Sequence, residues 1–151
     1  MRSILFVCTA NLCRSPTAEG VLRRMLAARG PVEVDSAGTH DYHAGAPPSP
    51  GAVAAAGRRG YDITGRVARR VKPADFDHFD LILAMDRGNL ANLRSIAPSH
   101  TRQKIELLLA YGEKYSGKEV PDPYGGPEDG FELAVDMIED GCRGLAAVLL
   151  R

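Results

Sequence analysis

The sequence predicts an α/β fold, a small doubly wound parallel sheet of about four strands with helices on both faces. Short apolar runs alternate with helical patterns along the chain, and no internal repeat, low-complexity block or linker interrupts them. Strands separated by helices imply right-handed parallel crossovers. Ligands bind beyond the carboxyl ends of the strands in such sheets, so we expect the functional site at that edge.

The elements alternate in order along the chain. The β-branched and aromatic run Ile4–Val7 forms the core of the first strand, and the helix that follows is expected to open with Pro16, capped by Ser15, with the charge of Glu19 suited to the helix dipole. The strands are predicted at about Ser3–Val7, Val32–Ser36, Leu81–Met85 and Lys104–Leu108. The helices are predicted at about Pro16–Ala28, Pro50–Arg59, Arg87–Ile96 and Pro127–Leu150, with a shorter piece near Pro73–Phe76.

Length and composition indicate one globular domain across residues 1–151. The chain is 44% hydrophobic and 25% charged, which is enough apolar material for a core. No run approaches the roughly 18 apolar residues that a membrane span needs, and no signal peptide precedes Ile4. We therefore expect a cytoplasmic protein without a membrane partner.

Charge and cysteine content narrow the function classes further. Nineteen basic and nineteen acidic residues give a net charge of zero, which argues against a bulk nucleic-acid binder and leaves anion recognition to a local site. Three cysteines, an odd number, fit a reducing compartment and a reactive thiol better than a disulfide framework.

The junction between the first strand and the first helix holds the most informative residues. Cys8 ends the strand, and Arg14 and Ser15 stand at the start of the helix. The residues between Cys8 and Arg14 can curl their backbone N–H groups around one tetrahedral anion, while the guanidinium grips two of its oxygens. The same amides stabilise a thiolate, so we expect Cys8 to be ionised at neutral pH. The sequence thus predicts a phosphate loop here, although a buried cysteine is more often inert packing.

The loop reads Cys8-Thr9-Ala10-Asn11-Leu12-Cys13-Arg14-Ser15-Pro16. This segment resembles the phosphate loop of the low-molecular-weight protein tyrosine phosphatases, whose pattern is Cys-x-Gly-Asn-x-Cys-Arg-Ser-Pro. It departs at Ala10, where a positive φ would cost about 1 kcal/mol. Many relatives have histidine near Arg66, which leaves a network through that histidine open. The resemblance extends along nearly the whole chain through Asp35-Ser36-Ala37-Gly38-Thr39, Gly45-x-Pro47, Ala68-Arg69, Met85-Asp86-x-x-Asn89 and Asp122-Pro123-Tyr124.

The resemblance implies a metal-independent enzyme that hydrolyses phosphotyrosine in proteins through a phosphocysteine intermediate. Cys8 would be the nucleophile, and Arg14 would clamp the phosphate and the transition state. Expulsion of the leaving oxygen needs an acid that later accepts a proton from water, and the resemblance assigns this role to Asp122. Asp122 lies between Pro121 and Pro123. A turn in which its carboxylate bonds only local amides is the alternative.

Nine residues are expected to bind the phosphate or to support the loop: Thr9, Ala10, Asn11, Leu12, Cys13, Ser15, Ser36, Asp86 and Asn89. Asn11 tolerates the left-handed conformation and can brace the loop with its side-chain amide. By resemblance, the Ser15 hydroxyl also bonds the nucleophile. Ser36, Asp86 and Asn89 are of kinds common at element ends, where a purely local role is the alternative.

The substrate cleft is expected to include aromatic side chains. The irregular tract from Gly38 to Gly51 is long enough to be functional. Tyr42 in this tract and Tyr124 align with family aromatic residues on opposite sides of the cleft. Two such rings, with Leu12 beside them, would hold a phenyl phosphate by stacking and apolar contact. Partial core burial of either tyrosine is the alternative.

No metal and no cofactor are expected. His40, His43, His78 and His100 show no ligand spacing and are most simply surface residues, and no nucleotide-binding Gly-x4-Gly-Lys-Ser/Thr motif is present. The implied partners are a phosphotyrosine-containing protein and inorganic phosphate as product, with no nucleic acid. A partner tyrosine kinase and the oligomeric state stay open.

Three rival functions share the same loop. Thioredoxin-coupled arsenate reductases need a relay pair of cysteines near residues 80–90, and Leu81 to Leu90 contain none. Protein-arginine phosphatases resemble a pattern with threonine at the position of Leu12, whereas leucine fits a tyrosine ring better. The third rival is a phosphate-binding or redox-sensing module without turnover. Cys13 lies five residues from Cys8 in the same loop, so modest loop movement would bring the two sulfurs to bonding distance and let Cys13 trap oxidised Cys8 as a regulatory disulfide. Packing beneath the phosphate site is the alternative role of Cys13.

Overall fold

A four-stranded parallel sheet forms the centre of the molecule. The computed structural model describes residues 2–150, so Met1 and Arg151, the ends of the predicted domain, lie outside the described residues. The sheet order is β2-β1-β3-β4, and every neighbouring pair is parallel. The strands are β1 (Ser3–Cys8), β2 (Glu33–Gly38), β3 (Leu81–Ala84) and β4 (Ile105–Leu107).

Helices connect these strands. They are α1 (Arg14–Met25), α2 (Pro50–Arg58), α3 (Pro73–His78), α4 (Arg87–Ile96) and α5 (Glu128–Leu149). Two short 3₁₀ segments, Ser99–Lys104 and Leu108–Tyr111, flank β4 and leave it shorter than the predicted Lys104–Leu108.

Two apolar cores lie on the two faces of the sheet. Along β1, Ile4 and Phe6 join a core with residues of α1, α2 and α5, whereas Leu5 and Val7 join a second core with Phe76 of α3 and residues of α4. The alternation of side chains along a strand requires this division, and burial on both faces explains why β1 is apolar throughout. The predicted doubly wound α/β fold is confirmed.

Helix α1 begins earlier than the sequence indicated. The Thr17 N–H donates to the Cys13 carbonyl at 3.2 Å, so the cap residue is Cys13 and the helix starts at Arg14. The prediction that Ser15 caps the helix was therefore wrong, because Ser15 lies inside the first turn and its hydroxyl serves other partners. The helix also ends at Met25 and not at Ala28.

The C-terminal edge of the sheet positions the loop that follows β1. Cys8 is the last residue of β1, and β2 ends beside it at Gly38. A Cβ atom on Gly38 would lie 2.7 Å from the Thr9 carbonyl oxygen and 2.9 Å from that of His40. Glycine is required here because the backbone of the loop approaches so closely. Within residues 2–150, no helix is long and apolar enough to cross a membrane.

Candidate active site

The loop between β1 and α1 is folded around the Cys8 thiol. Cys8 is buried, and its Sγ lies 3.0 Å from the Ser15 Oγ. Asn11 holds the loop from within, because its amide nitrogen donates to the Ser15 hydroxyl at 2.8 Å and to the Ser36 hydroxyl at 3.0 Å, while its amide oxygen accepts the Arg69 backbone N–H at 3.0 Å. Three segments distant in sequence thereby meet at one side chain.

The left-handed position of the loop is Asn11 and not Ala10. Among the non-glycine residues of the described range 2–150, Asn11 alone has a positive φ, of 60°. Asparagine adopts this left-handed conformation more readily than most residues. The tight turn is therefore made at Asn11, and Ala10 does not adopt the positive φ at which its methyl group would cost energy.

Ser36 connects the loop to a buried acid. Its hydroxyl donates to Glu19 Oε1 at 2.7 Å, and Glu19 Oε2 faces Arg23 at 2.5 Å and Arg66 at 3.0 Å. Burial raises the pKa of Glu19, opposed by the Ser36 hydrogen bond and the two arginines. Glu19 was expected in the early helix, where its charge suits the helix dipole. It lies beyond the first turn of α1, which holds no acid, and its carboxylate contacts Ser36 and the two arginines. Arg66, which stands near the position where many relatives have histidine, joins the network of Ser36 and Glu19 through its ion pair with Glu19.

Arg14 is buried and pinned on one side. Its Nη1 donates to Asp86 Oδ2 at 2.7 Å and to the Val120 carbonyl at 2.9 Å. Its Nε is also buried but has no hydrogen-bond partner within residues 2–150. An unpartnered guanidinium N–H in a buried position is costly unless a ligand satisfies it. This atom therefore points to an anion site inside the loop.

Two residues of the Met85–Asn89 motif support this arrangement. Asp86 caps α4 by accepting the Asn89 N–H at 2.7 Å, and its other oxygen bonds Arg14. The Asn89 side chain donates to the Thr9 hydroxyl at 3.1 Å, which Arg14 Nη2 also approaches at 3.5 Å. The local capping role and the contact with the loop therefore coexist in the same motif.

Asp122 lies at the mouth of the loop. Its Oδ1 accepts the Tyr124 N–H at 3.1 Å, which is the local turn contact that Pro-Asp-Pro favours. Its Oδ2 lies 3.7 Å from Arg14 Nη2, and about half of the side chain is exposed. The same carboxylate thus forms the turn and faces the anion site.

Cys8, Arg14 and Asp122 line a cleft of about 230 Å³. Its base holds Cys8 and Arg14, and its rim holds Asp122, Tyr42 and Tyr124. Both tyrosines are exposed, with relative accessibilities of 67% and 54%, so the alternative of core burial does not apply. The remaining lining residues are Thr9, Ala10, Leu12, Cys13 and His43.

Comparison with known proteins identifies the family. A family model described as low molecular weight phosphotyrosine protein phosphatase matches residues 3–151. This chain belongs to that family. A low-molecular-weight protein-tyrosine-phosphatase of Bacillus subtilis, YfkJ, is 41% identical over 150 residues, which cover 97% of this chain and 95% of the relative. The chain is therefore a hydrolase, a cysteine-dependent phosphomonoesterase that acts as a protein-tyrosine phosphatase.

Solved structures of phosphatases share the whole fold. A protein tyrosine phosphatase from Entamoeba histolytica, crystallised with Hepes in the active site, is 36% identical with a TM-score of 0.94 and covers 99% of this chain and 97% of its own. Wzb of Vibrio vulnificus, in complex with benzylphosphonate, is 32% identical with a TM-score of 0.87, and the match covers 97% of both chains.

Three features of the phosphatase cleft were missed by sequence reasoning. The Val120 carbonyl that holds Arg14 carries no side-chain signal, since any residue supplies a carbonyl. His43 lines the cleft, with its ring 5.7 Å from that of Tyr124, and His40 stacks on Tyr42. Their position beside Tyr42 in the irregular tract was the available signal. The interpretation of these two histidines as simple surface residues was incomplete.

The other two thiols have separate environments. Cys13 is buried, and its Sγ lies 3.0 Å from the Ser49 Oγ. Burial raises the pKa of Cys13 to about 11, although the Ser49 hydrogen bond opposes the change. Cys142 is buried on α5 against the Ala18 carbonyl, and burial raises its pKa as well. Within residues 2–150, no group of three His, Cys, Asp or Glu side chains could hold a metal ion.

Proposed function

We propose that this phosphatase hydrolyses phosphotyrosine in proteins through a phosphocysteine intermediate on Cys8, without a metal ion. One observation carries the proposal: Arg14, whose buried Nε has no hydrogen-bond partner within residues 2–150, lines the same cleft as Cys8 and Asp122. A bound phosphate would satisfy Arg14 and sit within reach of a nucleophile and an acid. The phosphate of a substrate would therefore be the hydrogen-bond partner of Arg14 Nε.

The first half of the reaction transfers the phosphoryl group to sulfur. The Cys8 thiolate attacks phosphorus, an S–P bond forms, and the bond from phosphorus to the phenolic oxygen breaks. Arg14 and the loop amides stabilise the charge on the equatorial oxygens. Asp122 donates its proton to the leaving phenolic oxygen. Asp86 and the Val120 carbonyl hold Arg14 by Nη1, which supports an orientation that leaves Nε free for this task.

The second half releases inorganic phosphate. Asp122, now a carboxylate, accepts a proton from water as that water attacks the phosphocysteine. The S–P bond breaks, the sulfur leaves as a thiolate, and Ser15 at 3.0 Å donates a hydrogen bond to it. Each turnover returns Cys8 and Asp122 to their starting forms, so no external reductant or metal is required.

The cleft walls favour a phenyl ring. Tyr42 and Tyr124 offer aromatic faces on the rim, and Leu12 adds an apolar contact below them. The Vibrio vulnificus relative was solved with benzylphosphonate, a phosphonate that carries such a ring. We infer phosphotyrosine as the substrate group and one domain as the functional unit, because both cores share the single sheet.

The rival activities receive less support. A reductase would need a relay pair of cysteines near residues 80–90, and Leu81 to Leu90 contain none. Outside the loop, the remaining thiol, Cys142, is fully buried on α5 against Ala18. An arginine phosphatase would be favoured by threonine at the position of Leu12, and this chain has the bulkier leucine. We find no observation that favours either activity over phosphotyrosine hydrolysis.

Substitution of the nucleophile tests the proposal. Cys8→Ser should abolish turnover of a phosphotyrosine peptide yet leave binding of inorganic phosphate measurable by calorimetry, because Arg14 and the loop amides remain. Arg14→Lys should lower kcat by about 10²–10³-fold, since an ammonium group cannot reproduce the bidentate fork. A chelator should leave the unmodified enzyme unaffected.

The controls separate this mechanism from the rivals. A panel of phosphotyrosine, phosphoserine and phosphoarginine peptides should show turnover of the first alone at high rate. Residual activity of Cys8→Ser above a trace, or inhibition by the chelator that added metal reverses, would contradict the mechanism.

A further inference from the structure

Tyr42 is a wall of the cleft that has little packing of its own. Two thirds of its surface is exposed, yet a side chain that stacks on a substrate ring must hold one orientation. An exposed aromatic side chain without support loses conformational entropy when a ligand orders it, and that loss weakens binding. Neighbouring residues of the loop must therefore hold the orientation of the Tyr42 ring, because the core does not.

His40 supplies that support. Its ring stacks on the ring of Tyr42 with centroids 4.8 Å apart and planes inclined by 14°. The opposite wall is held more loosely, because the rings of His43 and Tyr124 are 5.7 Å apart and tilted by 42°. The two tyrosines are thus backed by two histidines of the same loop, with the closer and flatter contact at Tyr42.

The ring of His40 is itself anchored. Its Nδ1 forms a hydrogen bond with the Thr39 Oγ1 at 2.8 Å, and Thr39 is buried. The Thr39 backbone N–H donates to the Cys8 carbonyl at 2.8 Å, and the His40 backbone N–H donates to the Thr9 carbonyl at 2.9 Å. A short path of contacts therefore joins the nucleophile to the exposed wall.

We propose that His40 is a positioning residue that fixes Tyr42 for recognition of the substrate's aromatic ring. The inference rests on the proposed phosphotyrosine specificity. Within the described residues, His40 is not part of the lining of the cleft that holds Cys8 and Arg14, so its effect on binding is expected through Tyr42 and the substrate ring. Removal of its ring should weaken ligands that carry a phenyl group and spare ligands that do not.

Calorimetric binding of two probes to the intact protein separates these effects. Benzylphosphonate presents a ring and an anion, whereas inorganic phosphate presents the anion only. His40→Ala should raise the dissociation constant of benzylphosphonate by about 2–10-fold, the range expected for one aromatic pair, and leave that of phosphate unchanged. His40→Phe, which keeps the stack, should restore most of the affinity. His100→Ala is the matched control, because His100 is an exposed histidine paired with Asp77 outside the cleft.

A double-mutant cycle with Tyr42→Ala decides whether His40 acts through Tyr42. The His40→Ala change should have no further effect on benzylphosphonate binding once Tyr42 is removed. Additive effects, equal weakening of both probes, or no change in either would overturn the inference. If His40→Ala does not fold, as judged by circular dichroism, His40→Gln, which keeps a hydrogen-bonding group for Thr39 but lacks the ring, replaces it and should show the same selective loss of benzylphosphonate binding. Binding is measured without turnover, so failure of the proposed activity would appear separately, as an inactive parent enzyme.

Discussion

The base and the rim of the cleft differ in how they are held. At the base, Arg14 is 2% exposed and Asn11 connects the loop to Ser15, Ser36 and Arg69. At the rim, Tyr42, Tyr124 and Asp122 are at least half exposed, and their contacts are with loop residues, such as the stack of Tyr42 on His40. The base can therefore hold charge in a fixed geometry, while the rim can meet a protein surface. In the proposed mechanism, the base carries out the phosphate chemistry, and the rim selects the substrate and protonates the leaving group.

The acid on the rim should give the largest effect among the rim variants. Asp122→Ala should lower kcat by about 10²–10⁴-fold for substrates with poor leaving groups, and much less for activated aryl phosphates that need no proton. A series of aryl phosphates of graded leaving-group acidity measures this. Asp129→Ala, an exposed carboxylate at the start of α5, is the control. A uniform loss across the series would reduce Asp122 to a residue of the turn.

The apolar contact beneath the rim should govern choice between substrates. Leu12→Thr should lower the ratio of phosphotyrosine to phosphoarginine turnover by about 10-fold, because a methyl-sized loss of apolar contact falls at the low end of such discrimination. Leu133→Thr, an exposed leucine on α5, controls for general effects on the fold. An unchanged ratio would remove Leu12 as the selector and strengthen the arginine phosphatase alternative.

The second thiol at the base should respond to oxidation. Peroxide converts the Cys8 thiolate to a sulfenic acid, and attack by the Cys13 thiol then forms a disulfide and releases water. We expect dithiothreitol to restore the activity of the peroxide-treated enzyme. In Cys13→Ser, the same treatment should cause a progressive and irreversible loss of activity. Disulfide formation should accelerate as the pH rises toward 11, because the thiolate is the attacking form and burial raises the pKa of Cys13 to about that value.

Mass spectrometry after peroxide treatment checks this prediction. A Cys8–Cys13 cross-link is expected, and bound phosphate should slow its formation. If the cross-link is missing and recovery is the same in Cys13→Ser, the contact of Cys13 with Ser49 is only packing.

A buried carboxylate outside the cleft should give the smallest effect on activity. Asp140 on α5 accepts backbone N–H groups from Glu113, Lys114 and Tyr115. Burial acts to raise the pKa of Asp140, but these hydrogen bonds outweigh it and hold the pKa below its usual 3.8. Asp140→Asn should lower the free energy of unfolding by about 1–3 kcal/mol near neutral pH and leave kcat unchanged.

The pH dependence of that loss follows from the lowered pKa. The ionised form of Asp140 stabilises the fold above the pKa of the unfolded chain, and this contribution disappears as the pH falls through the folded-state value. The stabilities of parent and variant should therefore converge below about pH 4 in denaturant titrations. A constant difference down to pH 2, or a loss of kcat, would show that Asp140 has another role.

Local sequence patterns predicted much of this molecule. The run Ile4–Val7 followed by the Cys8–Ser15 loop indicates a strand, an anion loop and a helix within one short stretch, and helix α4 follows Arg87–Ile96 as expected. The predicted start of helix α1 differs from the observed one, because the side chain expected to cap the helix has tertiary partners. The Ser15 hydroxyl has the features of a cap, yet it bonds Cys8 and accepts from Asn11 instead.

The sequence by itself determined the family, the α/β architecture and the loop between Cys8 and Arg14, because periodicity and motif spacing are local properties of the chain. Only the tertiary structure decided which groups hold Arg14 and which side chains back the rim. The Val120 carbonyl lies 106 residues from Arg14, and Asn89 lies 80 residues from Thr9. Such contacts arise when parallel strands bring their carboxyl ends together, and a backbone carbonyl leaves no mark in the sequence.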